Sequence, residues 1–168
     1  MAEQSLPKTS PLLEVRCLSK HYPLPSPWYD RVRGRSPRVV KAVDAVSFTI
    51  YRSEILGLVG ESGCGKSTLA RTIIRLTPAT GGQVLFDGQD LFCLGNLPMR
   101  TMRRRIQIVF QDSSQAIDPR YTARRALDEP LLLHAVPSEE RQKRVREALD
   151  QVALPASLLS RRPSELSG

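Results

Sequence analysis

Residues 60–68 read Gly60-Glu61-Ser62-Gly63-Cys64-Gly65-Lys66-Ser67-Thr68, and no other stretch constrains the chain as strongly. They fit G-x-x-x-x-G-K-[ST], a pattern in which each fixed residue type has a physical reason. Glycines let the backbone bend until successive N–H groups point inward, forming a concave cradle for an anion. A helix starting near Lys66 adds its positive end to that cradle. In such a loop Lys66 reaches the β- and γ-phosphates of a nucleotide, and the Ser67 hydroxyl ligates Mg²⁺. Glu61 and Cys64 need supply only main chain. A chance match in a chain of this length arises about once in two hundred, and the flanks strengthen the reading. Ile55-Leu56-Gly57-Leu58-Val59 is an apolar run of the kind expected for a strand buried on both faces. Beyond the loop, Leu69, Ala70, Ile73, Ile74 and Leu76 recur at helical spacing, which predicts a helix over about Lys66–Leu76.

The remaining elements follow from pattern and punctuation. Leu12 to Leu18 reads as a first strand. Pro23, Pro25, Pro27 and Pro37, interleaved with Arg31, Arg33, Arg35 and Arg38, predict a surface loop over 23–38, because proline fixes φ and removes a donor. From Val39 to Ile50 strand character resumes, with Val46, Phe48 and Ile50 alternating against Ser47 and Thr49. Val84-Leu85-Phe86 lies between turn signals at Gly81-Gly82 and Asp87-Gly88, and Ile106 to Phe110 reads as a further strand. Helices are expected over Thr122–Val136 and Ser138–Leu154. In the latter Ser138 can cap, Glu139 and Glu140 suit the positive start, and Val145, Ala148, Leu149 and Val152 form an apolar face. The fold class is therefore α/β, with helices gathered towards the end.

Composition narrows the function classes. No apolar run approaches the roughly 18 residues of a membrane span, and Met1-Ala2-Glu3-Gln4 lacks the profile of a signal peptide. Cys17, Cys64 and Cys93 are odd in number and show no paired spacing, which argues against a disulfide framework or zinc site and fits a reducing cytoplasm. The formal net charge of +8, with arginine far outnumbering lysine, fits a solvated basic surface, an anionic membrane surface or nucleic acid, and charge alone does not choose. His21 and His134 have no partner motif and are not catalytic candidates.

The loop sequence resembles that of ATP-binding cassette subunits, above all those of oligopeptide, dipeptide and nickel importers. Further segments stand in that family's order. Val43-Asp44-Ala45-Val46-Ser47-Phe48 resembles the strand before the loop. Phe110-Gln111-Asp112 with Asp118-Pro119-Arg120 is similar to the glutamine loop of the peptide/nickel branch, and Glu129-Pro130-Leu131 resembles its next helix. Pro163-Ser164-Glu165-Leu166-Ser167-Gly168 looks like the opening of the family signature. The resemblance implies a P-loop NTPase fold of the ABC ATPase type: a β-rich phosphate-loop core over about 1–110, then the glutamine loop and helical subdomain over about 111–168. It implies ATP and Mg²⁺ as cofactors, Lys66 and Gln111 as catalytic groups, and Ser67 and Gln111 as metal ligands. Tyr22 would stack on adenine, and Ser167 and Gly168 would contact the nucleotide of a second cassette. Implied partners are integral-membrane permease subunits, a second ABC ATPase subunit (the same or different) and a periplasmic or lipoprotein solute-binding protein, at the cytoplasmic face of the membrane, with no nucleic acid expected.

Some features depart from that pattern. Arg52-Ser53-Glu54 replaces a glycine-containing turn, and Ser113 stands where peptide importers have proline, which brings the segment closer to nickel-importer relatives. No apolar run ending in Asp-Glu and no later histidine occurs. From these residues the expectation is that phosphates can be held but hydrolysis is poor, since nothing polarises the attacking water. Alternative readings are an ABC-type ATPase not linked to transport, acting on nucleic acid or in a metabolic complex, and a nucleotide-binding remnant without hydrolysis. The Trp28-Tyr29 pair is expected to do no more than pack its loop.

Overall fold

A computed structural model describes residues 10–25, 38–111 and 117–166. Trp28, Tyr29, Asp112, Ser113, Ser167 and Gly168 lie outside the described residues. The chain divides into two compact units, Met1–Gln107 and Ile108–Gly168.

In the first unit β1 (Leu13–Pro23), β2 (Val39–Ile50), β3 (Gly81–Phe86) and β4 (Gln89–Asp90) form one sheet in the order β2-β1-β3-β4, every neighbouring pair antiparallel. Helices α1 (Lys66–Ile73) and α2 (Asn96–Met102) supply the other layer. Val15 and Leu18 of β1, Val43 of β2, and Val84 and Phe86 of β3 are buried together with Leu69 of α1, Leu91, and Met99 and Met102 of α2. Each such side chain contributes about 1.5–3 kcal/mol by leaving water. Helix α2 had no counterpart in the sequence reading. Its Pro98 falls in the first turn, where a missing N–H costs nothing, and Met99 and Met102 form its buried stripe at helical spacing.

Two expected strands do not form. From Ile55 to Val59 no sheet pairing exists, and Ile55 and Val59 are 96% and 94% exposed. The run Ile106 to Phe110 is likewise unpaired, with Val109 93% exposed. A strand apolar on both faces needs neighbours on both sides to satisfy its amides and carbonyls. Among the described residues no strand runs beside either segment. The turn before the first of them is nevertheless anchored: Asp87 accepts from Arg52 and from Arg105, both at 2.6 Å.

The second unit holds α3 (Ala123–Leu133) and α4 (Ser138–Gln151). Thr122 caps α3 by accepting from the Arg125 N–H at 3.4 Å. At the head of α4 Pro137, not Ser138, occupies the cap position, and no side chain caps it. Ser138 is the first helical residue instead, and Pro137, with φ −57° and ψ 149°, is still non-helical and has no side-chain oxygen to cap with. Glu139 and Glu140 do lie in the first turn, and Val145 and Leu149 are buried, whereas Val152 falls beyond the last turn and is exposed. Arg141 ties the two helices, donating to Asp128 Oδ1 at 2.8 Å and to the Val136 carbonyl at 2.9 Å.

Candidate nucleotide-binding site

The turn between Gly60 and Lys66 depends on left-handed backbone at Gly63 (φ +83°) and Gly65 (φ +99°), conformations that cost a residue with a Cβ. Gly65 has a second reason to be glycine. A Cβ there would lie 2.1 Å from the carbonyl oxygen of Ala42, so the loop rests directly on β2. Gly65 is also the cap residue of α1, with no side-chain cap and no acidic residue in the first turn. The leading amides of α1 are therefore left for an external acceptor, at the helix end that carries partial positive charge. Lys66 Nζ donates to the carbonyls of Gly60 and Glu61, each at 2.7 Å, and lies 3.4 Å from Cys64 Sγ. Its ammonium is thus held at the rim of the turn. Cys64 closes the turn by donating its N–H to the Glu61 carbonyl at 3.3 Å. Ser62 and Ser67 are exposed, and Thr68 accepts through its carbonyl from the Thr72 hydroxyl at 2.7 Å, fixing the first turn of α1. Among the described residues no cluster of His, Cys, Asp or Glu is arranged to hold a metal. A Mg²⁺ ion at this loop would draw on the Ser67 hydroxyl, water and phosphate oxygens, a donor set that suits the ion.

The contact at Ala42 has a cause in strand register. Lys20 stands opposite Val43 and His21 opposite Lys41, so Ala42 is an extra residue on β2, a bulge. Because of it, alternation resumes correctly on both faces. Lys20 and Tyr22 face the same side as Val43, which packs with Leu69 of α1. His21 and Lys41 take the other side, where they share Asp44 at 3.1 and 3.0 Å. Tyr22 lies opposite Val40, about 7 Å along the strand from the bulge that touches the loop. It is 40% exposed, on the side of the sheet that carries α1.

The other sequence candidates lie in the second unit. Gln111 is exposed, and residues 112–116 after it are outside the described ones. Asp118, Pro119, Arg120 and Tyr121 make a turn closed by the Tyr121 N–H on the Asp118 carbonyl at 2.9 Å, with proline at its second position. Arg120 grips the Asp118 carboxylate through Nε at 3.0 Å and a terminal nitrogen at 2.7 Å. These bonds hold its pKa down at about 2. Pro163–Glu165 form a single 3-10 turn, in which Glu165 accepts from the Arg162 N–H at 2.9 Å, leading into Leu166. The Arg161 carbonyl accepts the Ala123 N–H at 2.8 Å, binding this segment to the start of α3. Sequence reasoning missed the Ala42 bulge, the Lys20–Tyr22 pair and the Arg161 anchor. The Lys20–Tyr22 pair alone carried a signal, its i, i+2 spacing on a strand.

An uncapped helix start behind a turn of left-handed glycines is an arrangement suited to an anionic ligand such as a phosphate. Residues 43–168 match the family described as ABC transporter, and the chain belongs to that family. It is 45% identical over 159 residues to the oligopeptide transport ATP-binding protein AppF of Bacillus subtilis, covering 94% of this chain and 47% of that protein. A probable peptide ABC transporter ATP-binding protein, y4tS of Sinorhizobium fredii, is 42% identical over 158 residues, which are 94% of this chain and 44% of that one. The chain thus spans about half the length of these relatives. The dimeric post-hydrolysis structure of the ATP-binding cassette MJ0796 bound to ADP and Pi superimposes with a TM-score of 0.71 at 26% identity, over 92% of this chain and 63% of that one. The fold is that of an ABC ATPase cassette, as the resemblance implies, although the strand expected before the loop at Ile55–Val59 does not form.

Proposed function

We propose that this chain is the nucleotide-binding part of a subunit that binds and hydrolyses ATP to drive import of peptides across a membrane. The observation that carries the reading is the loop at 60–68, with two left-handed glycines, an uncapped helix start and a lysine ammonium at its rim. In this reading the leading amides of α1 bind the phosphates. Lys66 exchanges its two carbonyl partners for β- and γ-phosphate oxygens, which accept more strongly because they are charged. Ser67 would hold Mg²⁺, which would neutralise developing charge on the phosphates, and Gln111 keeps the metal-ligand role that the family resemblance implies. The Tyr22 ring stacks on the purine, on β1 beside the stretch of β2 that meets the loop through Ala42 and Gly65. Ser167 and Gly168 address the nucleotide of a second cassette.

The partners are permease subunits that carry the membrane-spanning segments, a reading supported by relatives named as transport ATP-binding proteins. A solute-binding protein completes the system, and the subunit works at the cytoplasmic face. Peptides are favoured over nickel because the relatives at 42–45% identity are named for peptides, although Ser113 leans towards nickel. Deleting the gene and measuring uptake of labelled dipeptide and of nickel tests this. Loss of dipeptide uptake is the expected result. Intact uptake of both, with failed import of another solute, would contradict the assignment.

A further inference from the structure

Lys20 precedes Tyr22 by two residues on β1, and its Nζ lies 4.8 Å from the centroid of the tyrosine ring. That is within the roughly 6 Å over which a cation is attracted to an aromatic face. Among the described residues no carboxylate pairs with Lys20. Asp44, the acid of the neighbouring strand, commits one oxygen to His21 and the other to Lys41, and all three lie on the opposite face of the sheet. Lys20 and Tyr22 instead share the face that carries α1 and the phosphate loop. With an ammonium over one side of the ring, a flat ligand has the other side to take.

We propose that Lys20 is a positioning residue for base recognition, fixing the Tyr22 ring so that ammonium, phenol and purine form a three-layer stack. This rests on the reading of Tyr22 as the residue that stacks on the base. Two effects act in the same direction. The ammonium restricts the ring to one orientation before ligand arrives. It also draws π density towards itself, which lowers the repulsion between the far face and the π face of the purine.

Calorimetry with ATP and with inorganic tripolyphosphate, which has no base, tests the proposal on the wild type, Lys20→Met, Lys20→Arg, Tyr22→Leu and the double variant Lys20→Met/Tyr22→Leu. Lys20→Met should weaken ATP roughly two- to five-fold and leave tripolyphosphate unchanged. Lys20→Arg should restore the affinity, and in the Tyr22→Leu background Lys20→Met should have no further effect. No loss in Lys20→Met overturns the proposal. So does an equal loss for both ligands, which would put Lys20 on the phosphates, or a loss that persists without the tyrosine. If Tyr22→Leu binds ATP as the wild type does, the base-stacking reading itself fails and the proposal falls with it.

Discussion

Strand β1 and the stretch from Ile55 to Val59 are both rich in apolar residues, yet Val15 and Leu18 of β1 are buried while Ile55 and Val59 stand open to water. The difference lies in their neighbours. β1 has β2 on one side and β3 on the other, both antiparallel, so its amides and carbonyls are satisfied in both directions. Ile55–Val59 has no strand beside it among the described residues. Apolar content states what a segment would bury, and a hydrogen-bonding neighbour decides whether it becomes a strand. The phosphate loop lies between the open segment and α1, and it takes its shape from the paired side. Gly65 rests on Ala42 of β2, and Lys66 ties the turn to its own carbonyls.

This contrast gives its largest effect in the core. Leu18→Ala removes a fully buried side chain beneath both strand pairings and should cost about 2–5 kcal/mol in a denaturant melt. The same truncation of an open residue, Val59→Ala, should stay within about 0.5 kcal/mol. Equal losses would mean that Ile55–Val59 is buried in solution.

A smaller loss is expected from Gly82→Ala. Gly82 has φ +92°, and a Cβ there would lie 2.4 Å from the Cys17 carbonyl oxygen, against β1. The strain should cost about 1–3 kcal/mol, and hydrogen exchange should speed up in β1 and β3 while Ile55–Val59 is unchanged. Uniform acceleration everywhere would show that the two regions are one cooperative unit.

The legibility of the chain follows the same division. The phosphate loop could be read because the residues that mark it are local: two glycines at left-handed positions, a lysine and a helix start. The β1, β2 and β3 patterns were legible because turn residues and alternation lie within each segment. Helix α2 was obscured by Pro98, which reads as a breaker until its place in the first turn is known. The bulge at Ala42 was not legible at all, because it is a property of register between two strands and no residue type marks it. The strands expected at Ile55–Val59 and Ile106–Phe110 failed because composition cannot say whether a neighbour is present.

The weakest effect is on pH. In the sheet unit Asp44 is held below its ordinary 3.8 by Lys41 and then His21, and Asp87 chiefly by Arg105. In the helical unit Arg120 holds Asp118 at about 2. A carboxylate with a lowered folded-state pKa stabilises above its unfolded value and loses that contribution as pH falls through the folded one. For Asp118 the window runs from 3.8 down to about 2. These groups are exposed, so the loss should be a small drop in melting temperature below pH 4, reduced by salt. A melting temperature that rises between pH 4 and pH 2 would contradict the assignment.

The most direct test is calorimetric titration of ATP with Mg²⁺ into the wild type and Lys66→Ala, with folding of both checked by circular dichroism. The ammonium now held by the Gly60 and Glu61 carbonyls is the side-chain cation assigned to the β- and γ-phosphates. Saturable binding is expected in the wild type, weakened in Lys66→Ala by about one to two orders of magnitude, the worth of a charge-assisted hydrogen bond. Equal affinity in the two folded proteins would contradict the assignment of residues 60–68 as the nucleotide site.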